Sequence, residues 1–351
     1  MSDSVSRRRM VVNLRERRPI WDLPGWALEE IRASVPDGWE VVAIPEPADS
    51  RGDGGGIDPG VLEAVRGAEV YLGYGVPPDL FAAATAPPHG RLRWAHSGAA
   101  GVGGSLHAAM RASEVVLTNS AGVHAEPIAD TVLAMVLHFA RGVDWAVRAQ
   151  AARRWTPEPW QSADAPLREL SESTLGIVGL GGIGRAVARR AVALGMRVVA
   201  TRRRSSEGPE GVEVWTGDDA VDRLLPVSDF LVLAAPMTEG TRGMIGAREL
   251  AMLPPHATVI NVARGGIVDE AALADALRSG RLRGAGLDVF ATEPLPEDSP
   301  LWELPNVLIT PHVSGVSHRF WRRETDLIVE NVRRYLAGEP LVNTVDKQAG
   351  Y

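Results

Sequence analysis

The chain has 351 residues, 45% of them hydrophobic and 23% charged, with a net charge of −7. That is a globular composition for two domains or one large one, and its acidic balance argues against a nucleic-acid-binding surface spread over the molecule. It contains no cysteine, which excludes disulfides, thiolate catalysis and cysteine metal sites and fits a reducing compartment.

The N-terminal Arg7-Arg8-Arg9 reads as a solvated tail. Over the first 120 residues, short β-rich runs alternate with loop and helix signals. MVVNL (10–14), WEVVAI (39–44), EVYLGYG (69–75), LRWAHSG (92–98) and VVLTNS (115–120) read as strands. Between them PGVLEAVRG (59–67) and PPDLFAAAT (77–85) open on proline as helices, and 49–60 reads as a loop. Such alternation implies a parallel, helix-covered sheet.

A long helix is expected over about Glu126 to Arg141. Its apolar core, 128–140, is too short to span a bilayer and contains Asp130 and His138. No N-terminal run resembles a signal peptide, so a cytoplasmic protein with no membrane partner is expected. The polar, Trp- and Pro-rich stretch 153–166 has no clear period and reads as an excursion between domains or toward a partner subunit.

A second alternating series begins at Ser173. Its strands are TLGIVG, MRVVAT, DFLVLAAP, ATVINVA and RGAGLDVF. The helix DEAALADALRSG (269–280) has an Asp cap and a terminal Gly. A last helix is expected over about Ser317 to Ala337.

Within this series, Gly179-Leu-Gly181-Gly182-Ile183-Gly184 follows a strand directly and opens a helix directly. That order is the condition for a dinucleotide site. Gly179 permits a tight turn, Gly181 lets the backbone approach a pyrophosphate, and Gly184 lets helix and strand pack closely. The phosphates would sit at the helix N-terminus. The next strand ends in Arg202, Arg203 and Arg204, where NAD-binding versions usually carry an acid for the ribose hydroxyl. Guanidinium groups fork onto a 2′-phosphate, so NADP(H) is expected to be preferred, with NAD(H) also accepted.

Three later segments carry reactive side chains. NVARGGIVDE (261–270) holds Arg264, GLDVFATEPLPEDSPLW (286–302) holds Asp288 and Glu293, and NVLITPHVSG (306–315) holds His312. Singly, each has an ordinary reading: a surface arginine, a loop charge, a structural histidine. With the glycine fingerprint, NxARG, GLDVF…EP and TPH in this order, the chain resembles the D-isomer-specific 2-hydroxyacid dehydrogenases, most of all their glyoxylate/hydroxypyruvate reductase branch. The matching core runs from about 90 to 320.

The resemblance implies an α/β fold of two Rossmann-like lobes with doubly wound parallel sheets and the active site in the cleft between them. The substrate lobe would be 1–122 plus 312–351, and the cofactor lobe 123–311. It implies hydride transfer between NADP(H) and a small 2-keto acid/D-2-hydroxy acid pair. His312 would be the acid in reduction and the base in oxidation, histidine having an unperturbed pKa of about 6.5. Glu293 would be its carboxylate partner, and Arg264 the clamp on the substrate. Asp288 would contact the nicotinamide carboxamide, Ala263 and Gly315 would flank that ring, and Pro236 and Thr241 would belong to a loop covering the cofactor.

The substrate carboxylate is expected to meet backbone N–H groups at the glycine-rich strand ends 73–75 and 97–103. By resemblance Tyr74, Gly75, Ala100 and Gly101 are the candidates. Many members continue Gly-Val with Asp or Asn, whereas this chain has Gly101-Val102-Gly103-Gly104, so substrate choice does not carry over from the family pattern. No metal is expected, since the remaining histidines lack metal spacing. A homodimer is implied, with Trp145 to Trp160 as a subunit arm or a segment buried within one subunit. Two other readings share the fold: a non-enzymatic NAD(H)-sensing regulator, and a formate or phosphite dehydrogenase.

Overall fold

The computed structural model describes residues 7–46, 57–203 and 207–350. The chain divides into two compact units, Met1–His124 with Val316–Tyr351, and Ala125–Gly315. The crossings thus fall a few residues beyond those expected at 122 and 311, and His312 goes with the second unit.

The first unit holds five strands: β1 (Arg8–Asn13), β2 (Trp39–Ala43), β3 (Val70–Gly73), β4 (Trp94–Ser97) and β5 (Val116–Asn119). They form a parallel sheet in the order β2-β1-β3-β4-β5. The strands are apolar at successive positions because both faces are covered. Val11, Tyr71, Ala95 and Leu117 join one core. Their neighbours Met10, Val12, Leu72 and Trp94 join the other, with Phe320 and Ile328 of the helix Phe320–Ala337. The C-terminal tail returns to this sheet: Val345 N donates to Leu117 O at 2.8 Å.

The second unit holds seven strands: β6 (Thr174–Val178), β7 (Arg197–Thr201), β8 (Val212–Trp215), β9 (Phe230–Leu233), β10 (Thr258–Asn261), β11 (Gly284–Leu287) and β12 (Val307–Ile309). All pairs are parallel, in the order β12-β11-β10-β9-β6-β7-β8. The chain winds outward from β6 to β8, then crosses to β9 on the other side and winds out to β12. Phe230 and Val232 enter one core, with the helix Ala125–Ala140, while Leu231 and Leu233 enter the other. The register sets Ile309, Leu287, Asn261, Leu233, Val178 and Thr201 abreast. The loops after these residues share one edge, and the winding reverses between β6 and β9. Ligands of open α/β sheets lie at that edge, at such a reversal.

Several expectations need correction or addition. Arg8 and Arg9 are not tail but the start of β1. Arg8 donates to Glu69 at 2.9 Å and lies over the Trp39 ring at 4.3 Å, and Arg9 donates to Glu40 at 2.9 Å. Cross-strand partners of opposite charge hold the arginines in the sheet. The stretch 153–166 includes a short helix, Glu158–Gln161. Trp160 packs edge-on against Trp145 at 5.3 Å, whereas Trp155 is 95% exposed. The helix Gly25–Ala33 buries only Ala27 and Ile31, and β8 is four residues long, patterns too short to announce themselves. Of the loop expected over 49–60, residues 49–56 lie outside the described residues, as does Arg204; Asp58 caps the helix Pro59–Ala64.

Candidate active site

The glycine turn has the geometry a dinucleotide needs. Gly179 follows β6 with φ +99°, and a Cβ there would stand 2.6 Å from Ala235 N. Any other residue would be strained and would clash. At Gly184 a Cβ would stand 2.2 Å from Gly179 O, so only glycine lets the helix Gly182–Ala193 start this close to its strand. Gly181 is the opposite case. It and Gly182 are exposed, and a Cβ on Gly181 would meet nothing within 4 Å. No side chain caps the helix. The first turn, which includes Ile183, thus opens with its leading N–H groups uncapped, as a pyrophosphate requires.

On one side of this turn, β7 ends at Thr201, and Arg202 N donates to Trp215 O of β8 at 3.1 Å. Arg202 is half-buried and Arg203 exposed. On the other side, the loop after β9 carries Pro236, exposed, and Thr241, whose hydroxyl donates to Pro236 O at 2.7 Å. This loop is clipped to the Arg264 loop: Gly243 N donates to Gly266 O at 2.8 Å and Ile245 N to Ile267 O at 3.1 Å.

Arg264 stands three residues beyond β10 and is exposed. Its guanidinium donates to Ala263 O at 2.7 Å. Asn261, buried at the end of β10, brackets the loop: its Nδ2 donates to Arg264 O at 3.0 Å and its Oδ1 accepts from Ala263 N at 3.1 Å. Gly265 has no room for a side chain, since a Cβ would stand 1.8 Å from the Phe290 carbonyl carbon. Sequence reasoning quoted Asn261 as part of NxARG without assigning it this job; a polar residue ending a buried strand was the available signal.

Glu293 and His312 meet. His312 Nδ1 and Glu293 Oε2 are 2.7 Å apart, and Glu293 Oε1 accepts from Phe290 N at 3.0 Å. The carboxylate is thus fixed at both oxygens and fixes the ring in turn. A partner at Nδ1 leaves Nε2 as the ring nitrogen open to proton exchange. The His312 backbone is in the left-handed region, φ +54°, which costs energy for a non-glycine residue.

Asp288 explains how that conformation is held. The family resemblance gives it to the nicotinamide carboxamide. Its carboxylate is fully buried and holds the His312 loop. Oδ1 accepts from Thr310 Oγ1 at 2.6 Å and from Val313 N at 2.9 Å; Oδ2 accepts from Ser314 N at 3.1 Å and from the Ser314 hydroxyl. Gly315 follows as the last residue of the unit. Four hydrogen-bond donors on one buried carboxylate anchor both sides of His312.

In the first unit, Tyr74 and Gly75 follow β3, and Ala100 and Gly101 follow β4. The Tyr74 hydroxyl donates to Trp21 O, and burial pushes its phenol pKa up. Ala100 and Gly101 are exposed. A Cβ on Gly103 or Gly104 would meet nothing within 4 Å, and neither has a positive φ. Their departure from the family pattern therefore leaves space and relieves no strain.

Comparison with known proteins defines the class. The family described as D-isomer specific 2-hydroxyacid dehydrogenase, NAD binding domain, matches residues 133–314, and the chain belongs to this family of oxidoreductases. Among curated relatives it is 39% identical to a glyoxylate reductase of Korarchaeum cryptofilum over 67% of this chain and 70% of that one. It is 36% identical to glyoxylate/hydroxypyruvate reductase B of Yersinia enterocolitica over 83% and 87%. Among solved structures, a D-isomer specific 2-hydroxyacid dehydrogenase from Xanthobacter autotrophicus in complex with NADPH and MES is 33% identical, with a TM-score of 0.79 over 99% of this chain and 100% of that one. An NADPH-dependent glyoxylate/hydroxypyruvate reductase from Sinorhizobium meliloti in complex with NADP and sulfate is 29% identical, with a TM-score of 0.77 over 98% and 100%.

Proposed function

We propose that this protein is an NADPH-preferring reductase of small 2-keto acids, acting on glyoxylate or hydroxypyruvate and forming the D-hydroxy acid. The observation that carries it is the Glu293–His312 pair, 2.7 Å apart, on the strand edge that also holds Arg264 and the dinucleotide turn. The relatives named as glyoxylate and hydroxypyruvate reductases support the substrate, and the neighbours bound to NADPH or NADP support the cofactor.

The cofactor, when bound, supplies the hydride for the carbonyl carbon. Each other part of the reaction falls to the chain. Gly181, Gly182, Ile183 and Gly184 receive the pyrophosphate at the helix N-terminus. Arg202 and Arg203 take the 2′-phosphate. Pro236, Thr241, Ala263 and Gly315 line the cofactor. Arg264 leaves the Ala263 carbonyl for the substrate, binding its carboxylate and polarising its keto oxygen. His312 delivers the proton from Nε2 to that oxygen as charge develops on it. Glu293 keeps the ring oriented and balances the positive charge of the imidazolium. The backbone at Tyr74, Gly75, Ala100 and Gly101 takes the substrate carboxylate.

No helix among the described residues is long and apolar enough to cross a membrane. We read the protein as a cytoplasmic homodimer, joined through the exposed apolar side chains of Leu137, Val143, Val147 and Trp155. Aromatic residues are enriched at such contacts.

The test is absorbance at the reduced-nicotinamide band with NADPH or NADH against glyoxylate and hydroxypyruvate, and with the oxidised cofactors against formate and phosphite. Rapid NADPH loss with a keto acid supports the proposal. Faster NADH loss would overturn the reading of Arg202 and Arg203. Turnover of formate or phosphite alone, or none, would overturn the reductase.

A further inference from the structure

The first unit contains a polar network that the mechanism above leaves unused. At its centre His96 and Glu324 are both fully buried, with His96 Nε2 and Glu324 Oε1 2.9 Å apart. His96 Nδ1 lies 2.9 Å from Thr118 Oγ1, which accepts from Trp94 Nε1 at 2.9 Å. Ser120 Oγ lies 2.9 Å from the same Glu324 oxygen and 3.0 Å from Ser97 O. Burying this many polar groups costs free energy even when they are paired. Apolar packing would hold the helix Phe320–Ala337 to the sheet more simply.

The network leads to one place. Ser97 closes β4, and its hydroxyl donates to Tyr74 O at 3.1 Å while accepting from Ala99 N at 3.3 Å. Asn119, at the end of β5, donates from Nδ2 to Ala100 O at 2.8 Å. Two buried side chains therefore fasten both loops proposed to receive the substrate carboxylate. Beyond those loops, the N–H groups of Gly75, Ala100 and Gly101 have no hydrogen bond within the chain among the described residues. Main-chain N–H groups without a partner in the chain bind an anion when they are held in place in advance.

We propose that Ser97, backed by Ser120, Glu324 and His96 and assisted by Asn119, is a positioning residue for substrate. It fixes the 74–75 and 99–101 main chain that binds the keto acid's carboxylate. This inference rests on the reductase reading. Ser97 touches neither cofactor nor keto acid and acts through the backbone on either side of it. The supporting residues come from β4, from β5 and, 204 positions after Ser120, from the C-terminal helix.

The test compares wild type with Ser97→Ala, Ser97→Thr and Glu324→Gln. Readouts are KM for glyoxylate, KM for NADPH, kcat, melting temperature, and the dissociation constant of oxalate, a carboxylate with no reducible carbonyl. Ser97→Ala removes two hydrogen bonds, so KM for glyoxylate and the oxalate dissociation constant should each rise about five- to thirtyfold. KM for NADPH should stay within about twofold, and kcat should fall less than KM rises. Ser97→Thr keeps the hydroxyl and should restore most of the loss. Glu324→Gln keeps Oε1 as an acceptor and should give a smaller rise of the same kind. Equal damage to NADPH and glyoxylate KM, or a lower melting temperature with unchanged oxalate binding, would make the network merely structural and overturn the proposal. So would an unaltered Ser97→Ala enzyme. If Ser97→Ala does not fold, Asn119→Ala with the same readouts decides between these outcomes. Wild-type inactivity toward every keto acid, by contrast, would overturn the reductase reading itself.

Discussion

At the carboxyl edge of the second sheet, three side chains are presented: Arg264, Glu293 and His312. Each sits on a loop pinned from below, by Asn261, by Phe290 N and by Asp288 respectively. At the same edge of the first sheet, the candidate groups are main-chain N–H donors beside Gly75, Ala100 and Gly101, and the pinning groups are Ser97 and Asn119. The core chemistry differs in step. Beside the second sheet a buried carboxylate, Asp288, lies at the edge it serves, just beyond β11. In the first, His96 and Glu324 lie inside. Acid–base work needs a particular side chain, which a local anchor can hold. An anion-binding backbone needs whole loops held still, and that takes a network.

The comparison can be broken most sharply at His312. His312→Ala should lower kcat by about a hundred- to ten-thousandfold, the range for a general acid, while NADPH binding measured by fluorescence titration changes by less than about twofold. Near-normal kcat would remove the proton donor from the account. Next comes Gly265→Ala, whose Cβ would press on the Phe290 carbonyl carbon at 1.8 Å. Overpacking of this kind costs about 1–3 kcal/mol. The variant should melt several degrees lower and lose activity with Arg264 intact; an unchanged kcat/KM would mean that the Arg264 loop tolerates displacement.

Arg202→Asp tests the cofactor edge. It should raise KM for NADPH about ten- to a hundredfold, the value of a charged hydrogen bond, and leave NADH nearly untouched. Equal losses for both carriers would assign Arg202 to the fold. The smallest effect concerns the first unit alone. The Arg8 hydrogen bond holds the Glu69 carboxyl below its ordinary 4.5. A lowered folded value stabilises fully above about pH 4.5 and is lost as pH falls through that folded value. Glu69→Gln should therefore lower stability at neutral pH by no more than about 1 kcal/mol and flatten the acid limb of the melting curve. An acid limb identical to wild type would discount the pair.

How much was legible in the sequence follows the same divide. Gly179, Gly181 and Gly184 were readable because a strand, a turn and a helix in immediate succession leave a local pattern. Arg264, Glu293 and His312 were readable because their side-chain chemistry is specific and their order along the chain resembles a family. The anchors were less so. Asp288 is in plain view beside β11, yet its bonds to Thr310, Val313 and Ser314 depend on strands paired only in the fold. The first-unit network was not legible at all, because its members are ordinary Ser, Thr, His and Glu residues brought together from positions 96 to 324. Arg8 and Arg9 misled for a related reason: a basic run reads as solvated until Trp39, Glu40 and Glu69 are set opposite it.

The central claim is that this chain reduces a 2-keto acid by hydride delivery to one face of the carbonyl carbon and proton delivery to its oxygen. The most direct measurement is a single turnover with enzyme in excess: bound NADPH mixed with hydroxypyruvate, followed by stopped-flow absorbance, and the glycerate product resolved by chiral chromatography. The account predicts rapid loss of the reduced-nicotinamide band and D-glycerate as the product. A stable band, or L-glycerate, would contradict it.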